Sequence, residues 1–253
     1  MRFAGIMIDS IMIDRLEKRW AARCLFLLVF AISVCSNIWP LGDPDLSKLT
    51  DWAQEFSTIS AAASPETLIL PVITTGNIVF FFFSIFIVFS YIFIAVLYSR
   101  IYVGEKSGQG LGQSILSYLK RLPILVVFFT VVSIPVGLLS AIIPIILLFV
   151  LPALFFSPIL ITLDKKNPIE AITYSFRFTK GIKFAIFWDL LTLFCMYQLA
   201  EWIFSLFLPS GSSAGILLHG FWTAFFVLAF GRMTGVFYDR IRIHAPDTGT
   251  DSI

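Results

Sequence analysis

Apolar residues in this chain run in long unbroken stretches, with neither the i, i+3, i+4 spacing of a soluble helix nor the alternation of a half-buried strand. Six stretches stand out: 21–39, 78–98, 122–139, 141–163, 182–208 and 215–238. Each is close to the roughly 20 residues that carry a helix across a ~30 Å hydrocarbon layer. The pattern predicts an all-α fold, a polytopic membrane helix bundle of six transmembrane helices with short interfacial amphipathic helices, forming a single integral membrane domain over residues 1–253. The third and fourth stretches share 42 uncharged residues from Leu122 to Leu163, with Lys120 and Arg121 on one flank and Lys165 and Lys166 on the other. A single crossing would separate those two basic flanks, whereas a tight hairpin around Pro135 to Ser140 returns both to one side. A shallow re-entrant pair is the alternative reading of the same run.

The polar segments carry helix signals of their own. In the outer loop, residues 40–77, Asp43-Pro44 reads as a cap followed by Pro at the first helical position, and Leu46, Leu49, Ala53 and Phe56 recur at helical spacing. On the other side, Asn167-Pro168-Ile169-Glu170 approximates a capping box, opening a helix whose polar strip is Glu170, Thr173, Arg177 and Lys180. Residues 5–19, with the doublet IMIDS-IMIDR, and Gly112 to Arg121, which leads into the third crossing, read as further interfacial helices. The basic residues Lys120, Arg121, Arg177, Lys180 and Lys183 would sit at headgroup level, either contacting anionic lipid or acting only as orientation signals and packing struts. Residues 239–253 read as a flexible cytoplasmic tail.

Charge gives the orientation. In this topology 17 of the 18 Lys and Arg residues fall on one side, and only Lys48 shares the loop that holds Asp43, Asp45, Asp51, Glu55 and Glu66. Basic residues near span ends are retained in the cytoplasm, so both termini are expected inside, in a bacterial inner membrane. The roughly twenty residues before the first span are long for a signal-peptide leader and are followed by no small-x-small cleavage site, which predicts a retained anchor. Composition agrees with a membrane chain: 58% hydrophobic, 13% charged and 28 Phe, with a mean hydropathy of +0.91. A net charge of +2 gives no reason to expect a nucleic-acid partner. Cys24, Cys35 and Cys195 lie in apolar stretches without metal-ligand spacing and read as small apolar fillers.

Ionisable groups inside spans are costly and therefore informative. Four fall in the last two: Asp189 and Glu201, then His219 and Arg232. In an antiparallel hairpin Asp189 lies at the depth of Arg232, and Glu201 at the depth of His219. Around each helix axis, however, the two members stand about 120–140° apart, so both pairs cannot share one seam. Asp189 with Arg232 is the expected structural salt bridge; Glu201 meets His219 or boundary water. Gly231-x-x-x-Gly235 is the spacing that allows close helix approach, either between copies or, as favoured here, against the fifth span.

No motif for nucleotide binding, hydrolysis, a metal or another cofactor is present, and Gly108-Gln109-Gly110-Leu111-Gly112 follows no strand and reads as a joint. The stretch from Ser133 to Leu191, a Pro-containing span followed by Asp164, Pro168, Ala171, Ser175, Thr179 and Gly181, resembles the YciC-like family of uncharacterised bacterial inner-membrane proteins. It is also similar to the membrane domain attached to some glycerophosphodiester phosphodiesterases. The resemblance implies a multi-pass inner-membrane fold and transfers no catalytic residue, because in those relatives the chemistry belongs to a separate soluble domain. The expected function is non-enzymatic: organising or maintaining the cell envelope through membrane lipids, with anionic headgroups among them, or through a membrane-protein partner. A small secondary transporter or channel, using the ionisable groups of the last two helices, is the alternative.

Overall fold

A computed structural model of the chain describes residues 3–45, 47, 51, 73–142, 147–209 and 211–244. Among them the helices are α1 (Phe3–Ile11), α2 (Arg19–Ile38), α3 (Thr75–Lys106), α4 (Leu111–Ile142), α5 (Leu147–Leu154), α6 (Ser157–Thr162), α7 (Pro168–Phe178), α8 (Lys183–Phe207) and α9 (Ser213–His244), with no strand. Five are long and apolar enough to cross a membrane: α2, α3, α4 over Leu111–Val136, α8, and α9 over Ser213–Arg242. The chain is thus all-helical and of membrane character. The expected outer helix beginning at Asp43-Pro44 lies mostly outside the described residues.

Helix α9 is the axis of the bundle and packs on α1, α2, α3 and α8. Its later half is largely buried, with Leu228, Ala229, Met233 and Phe237 fully enclosed. The small residues at 231 and 235 make this possible, but their partner is α3 and not the fifth span. A Cβ on Gly231 would stand 2.5 Å from the Ala95 carbonyl oxygen, and one on Gly235 would stand 2.7 Å from Tyr102 Cδ1. The Ser99 hydroxyl ties the two helices across this contact by donating to the Gly231 carbonyl. Spacing alone signals close approach without naming the neighbour, which is why the sequence suggested the wrong one.

One end of the bundle brings together the first and last described helices: α1 lies against the C-terminal turns of α9, where Arg240 pairs with Asp9. We call it the terminal end. At the opposite, far end the loop after α2 meets the start of α3. Thr74 caps α3 by accepting from Asn77 N–H at 3.1 Å, and Asn77 Nδ2 reaches back to the carbonyls of Asp43 (3.0 Å) and Asp45 (2.9 Å). Gly42 makes that approach possible, because its φ of 92° is open to glycine and a Cβ there would lie 2.4 Å from Gly76 O.

The middle of the chain departs from the expected pair of crossings. α4 is one helix of 32 residues, about 48 Å long, so the segment 112–121 is its first part and not a separate interfacial helix. Pro123 and Pro135 lie inside it, and the turn expected at Pro135 to Ser140 is helical. Residues 143–146, between α4 and α5, lie outside those described. The expected crossing 141–163 is broken into α5 and α6 at Phe155–Phe156. Pro158 has no N–H to continue the ladder, and Phe156 N–H instead donates to Ser175 Oγ of α7 at 3.3 Å. The break turns two rings into the core, with Phe155 5.8 Å from Phe230 and Phe156 5.4 Å from Phe178. All six residues of α6 are buried. By Asp164 the chain is back at the terminal end, where the Tyr238 hydroxyl donates to its carboxylate at 3.0 Å.

Two peripheral segments are also more tightly held than the sequence suggests. Residues 5–19 are not one helix on the headgroups: α1 stops at Ile11, a turn follows, and Ile6, Ser10 and Leu16 are buried in the bundle. At the other terminus α9 continues through residues 239–244, which the sequence assigned to a tail, because Arg240 is anchored on Asp9. Tail residues 245–253 lie outside those described.

Candidate functional site

Two of the ionisable residues of α9, His219 in its second turn and Arg232 in its later half, sit in different surroundings. Arg232 is 5% exposed. Its Nε donates to the Asp9 carbonyl at 2.6 Å, and Nη1 donates to the Arg15 carbonyl at 3.2 Å and to the Tyr98 hydroxyl at 3.3 Å. The guanidinium carbon lies 5.0 Å from the Tyr102 ring centre, over its face. Tyr98 completes the knot by donating to the Ile13 carbonyl at 2.6 Å. Glu105 closes the rim, accepting from Glu17 N–H at 3.0 Å. Arg232 therefore holds the N-terminal segment against α3 and α9.

This arrangement overturns the expected Asp189–Arg232 salt bridge. Equal depth is not equal azimuth, and Arg232 faces α1 and α3 while Asp189 lies on the α8 stripe Ile186, Asp189, Leu193. Asp189 is 4% exposed, and its Oδ2 has no hydrogen-bond partner.

The second expected pair does form. His219 Nδ1 and Glu201 Oε2 are 2.9 Å apart, both side chains half-buried. The pair lines a cavity of about 230 Å³ at the far end, with Asn37 from α2, Ser205 and Phe204 from α8, and Leu208 beyond it. The sequence left Glu201 with either His219 or boundary water, and the structure makes the partner His219.

Sequence reasoning missed Arg100, counted only as a flanking charge. It is 3% exposed inside α3, with Nη2 donating to Gln109 Oε1 at 2.7 Å and to Ser117 Oγ at 3.0 Å. The apolar helical pattern continuing past it through Ile101, Tyr102 and Val103 was the available signal. The interfacial basic candidates stay at the surface: Lys120, Arg177 and Lys180 are exposed, and Arg121 and Lys183 are half-buried. Lys183 Nζ lies 4.8 Å from the Phe176 ring and Lys166 Nζ 4.2 Å from that of Tyr174. Ile169, Phe176, Phe184 and Trp188 are exposed beside them. An apolar groove of about 330 Å³ runs along α2 between Ala22, Phe26, Leu27 and Ile13, with Arg23 and Asp14 at its edge. The three cysteines are exposed on helix surfaces and do not fill the core as expected.

No protein-family model, no curated protein and no solved structure matches the chain.

Proposed function

We propose that this is a six-crossing protein of a bacterial inner membrane, with both termini cytoplasmic, that acts without catalysis by holding anionic lipids, and a membrane-protein partner, at its cytoplasmic face. In this reading α5 and α6 together make the sixth crossing, α7 lies at headgroup level, and the resemblance of Ser133–Leu191 to the YciC-like family is one of kinship. The positive-inside distribution supports the orientation, since the terminal end carries the basic clusters.

The observation that carries the function is the surface of α7 and the start of α8. Arg177, Lys180 and Lys183 stand there beside exposed Ile169, Phe176, Phe184 and Trp188. Cations next to aromatic and apolar side chains match a headgroup region, where phosphate and acyl chain meet, and each near-surface cation contributes about 1 kcal/mol toward anionic lipid. The groove along α2, apolar with Arg23 at its edge, has the same chemistry.

The test is native mass spectrometry of the full chain extracted with its lipids. Anionic phospholipid should be enriched several-fold over the bulk membrane, and the triple change Arg177→Gln, Lys180→Gln, Lys183→Gln should remove most of that enrichment. Equal lipid retention by both forms overturns the reading. The Glu201–His219 pair favours a second reading, a small secondary transporter or channel. It requires pH-dependent solute flux in proteoliposomes that Glu201→Gln abolishes, and absence of flux in the parent removes it.

A further inference from the structure

The far-end cavity has a chemical bias that the lipid surface does not share. At its wall Ser205 has committed its only proton donor elsewhere in the protein, and Asn37 one of its two amide N–H groups. Asn37 Nδ2 donates to the Ser33 carbonyl at 2.8 Å, and Ser205 Oγ donates to the Trp202 carbonyl at 2.7 Å. His219 directs Nδ1 at Glu201, so the neutral imidazole is left with Nε2 as an acceptor. The residues that line the cavity then offer acceptors: the Asn37 amide oxygen, the Ser205 hydroxyl oxygen, the Glu201 carboxylate and, in this tautomer, His219 Nε2.

The carboxylate is also under-used. It can accept about four hydrogen bonds, yet among the described residues Oε2 meets only His219 and Oε1 is buried with no partner. Among the described residues no Lys or Arg lines the cavity to balance it. The terminal torsion of a glutamate is soft, so either oxygen can turn toward a donor that enters. The other walls are apolar: Phe204, Leu208 and Ile216. At about 30 Å³ per water, the cavity of about 230 Å³ has the room of roughly seven waters, enough for an ammonium group with a short alkyl tail.

We propose that the cavity between the far ends of α2, α8 and α9 binds a small primary ammonium cation, with its N–H groups on Glu201 and Asn37 and its tail against Phe204, Leu208 and Ile216. The site is independent of the lipid surface at the other end and requires no transport.

The test uses the purified full chain in detergent with potassium as the background cation, titrated with n-propylammonium while thermal unfolding is followed. The expected result is a saturable rise in Tm. Tetramethylammonium, of equal charge but without N–H groups, should produce none. Glu201→Gln should weaken the apparent affinity about tenfold or more, the usual effect of losing a charged hydrogen-bond partner. Ser205→Phe, which fills the cavity from an exposed position, should abolish the response and decides the matter where Glu201→Gln gives no folded protein. A parent that does not respond, a tetramethylammonium response equal to that of propylammonium, or an unchanged response in Ser205→Phe each overturns the proposal.

Discussion

Arg232 and His219 belong to one helix and each meets polar atoms in an apolar bundle, yet they play opposite parts. Arg232 is closed in by two backbone carbonyls, a tyrosine hydroxyl and a tyrosine face, with almost no exposed surface. His219 has one carboxylate partner and an open cavity beside it. The first makes three hydrogen bonds inside the protein; the second leaves bonding capacity over. A buried charge held on several sides by the protein is a fastener, whereas a half-buried polar pair short of partners, with space next to it, is a place for something else to bind.

The sharpest way to break this contrast is at the fastener. Arg232→Ala leaves two carbonyls and a hydroxyl without their donor and should cost about 3–5 kcal/mol, as removing one side of a buried charged contact does. Unfolding in mixed detergent micelles would read it, together with faster proteolysis of residues 3–18. A loss under about 1 kcal/mol would make Arg232 no more structural than a surface cation. Gly231→Ala comes next: a methyl placed 2.5 Å from the Ala95 carbonyl must push α9 off α3, at about 1–3 kcal/mol. Gly235→Ala should cost less, because its obstacle is a tyrosine side chain and not backbone.

Asp189→Leu tests the discarded salt bridge. With Oδ2 lacking a partner, its removal should leave stability unchanged or raise it by about 1–2 kcal/mol. A fall comparable to that of Arg232→Ala would reinstate the pair. The smallest effect is expected at the other member of the comparison. Glu201→Gln and His219→Gln each break a half-exposed pair and should move stability by less than about 1 kcal/mol. A larger loss would make this pair a second fastener and weaken the case for a binding site.

What the sequence disclosed follows from what an apolar pattern encodes. Run length and hairpin register report depth, so five long apolar helices were legible from position, as was the shared level of Glu201 and His219, one of two partners open to Glu201. Azimuth was not, so Asp189 and Arg232 were matched by depth and parted by angle. The partners of Arg232 are main-chain carbonyls of residues 9 and 15, which leave no trace in side-chain identity. The break at Phe155–Phe156 depends on where Ser175 sits in the folded chain, and the run from Leu122 to Leu163 reads as uniformly apolar across it. Arg100 was hidden for a related reason: a cation at the edge of a hydrophobic run reads as a flank, although α3 carries on past it to Lys106 and α4 covers it.

The clasp between the two ends of the chain also has a consequence for synthesis. Asp9 and Arg240 are 231 positions apart, and the first of them leaves the ribosome about 10–50 s before the second at ordinary elongation rates. Through that interval the N-terminal segment has its contacts with α3 but neither of its arginine anchors, since both are in α9. A chain halted before α9 therefore displays a half-secured N-terminal segment, and the clasp closes only once α9 is made.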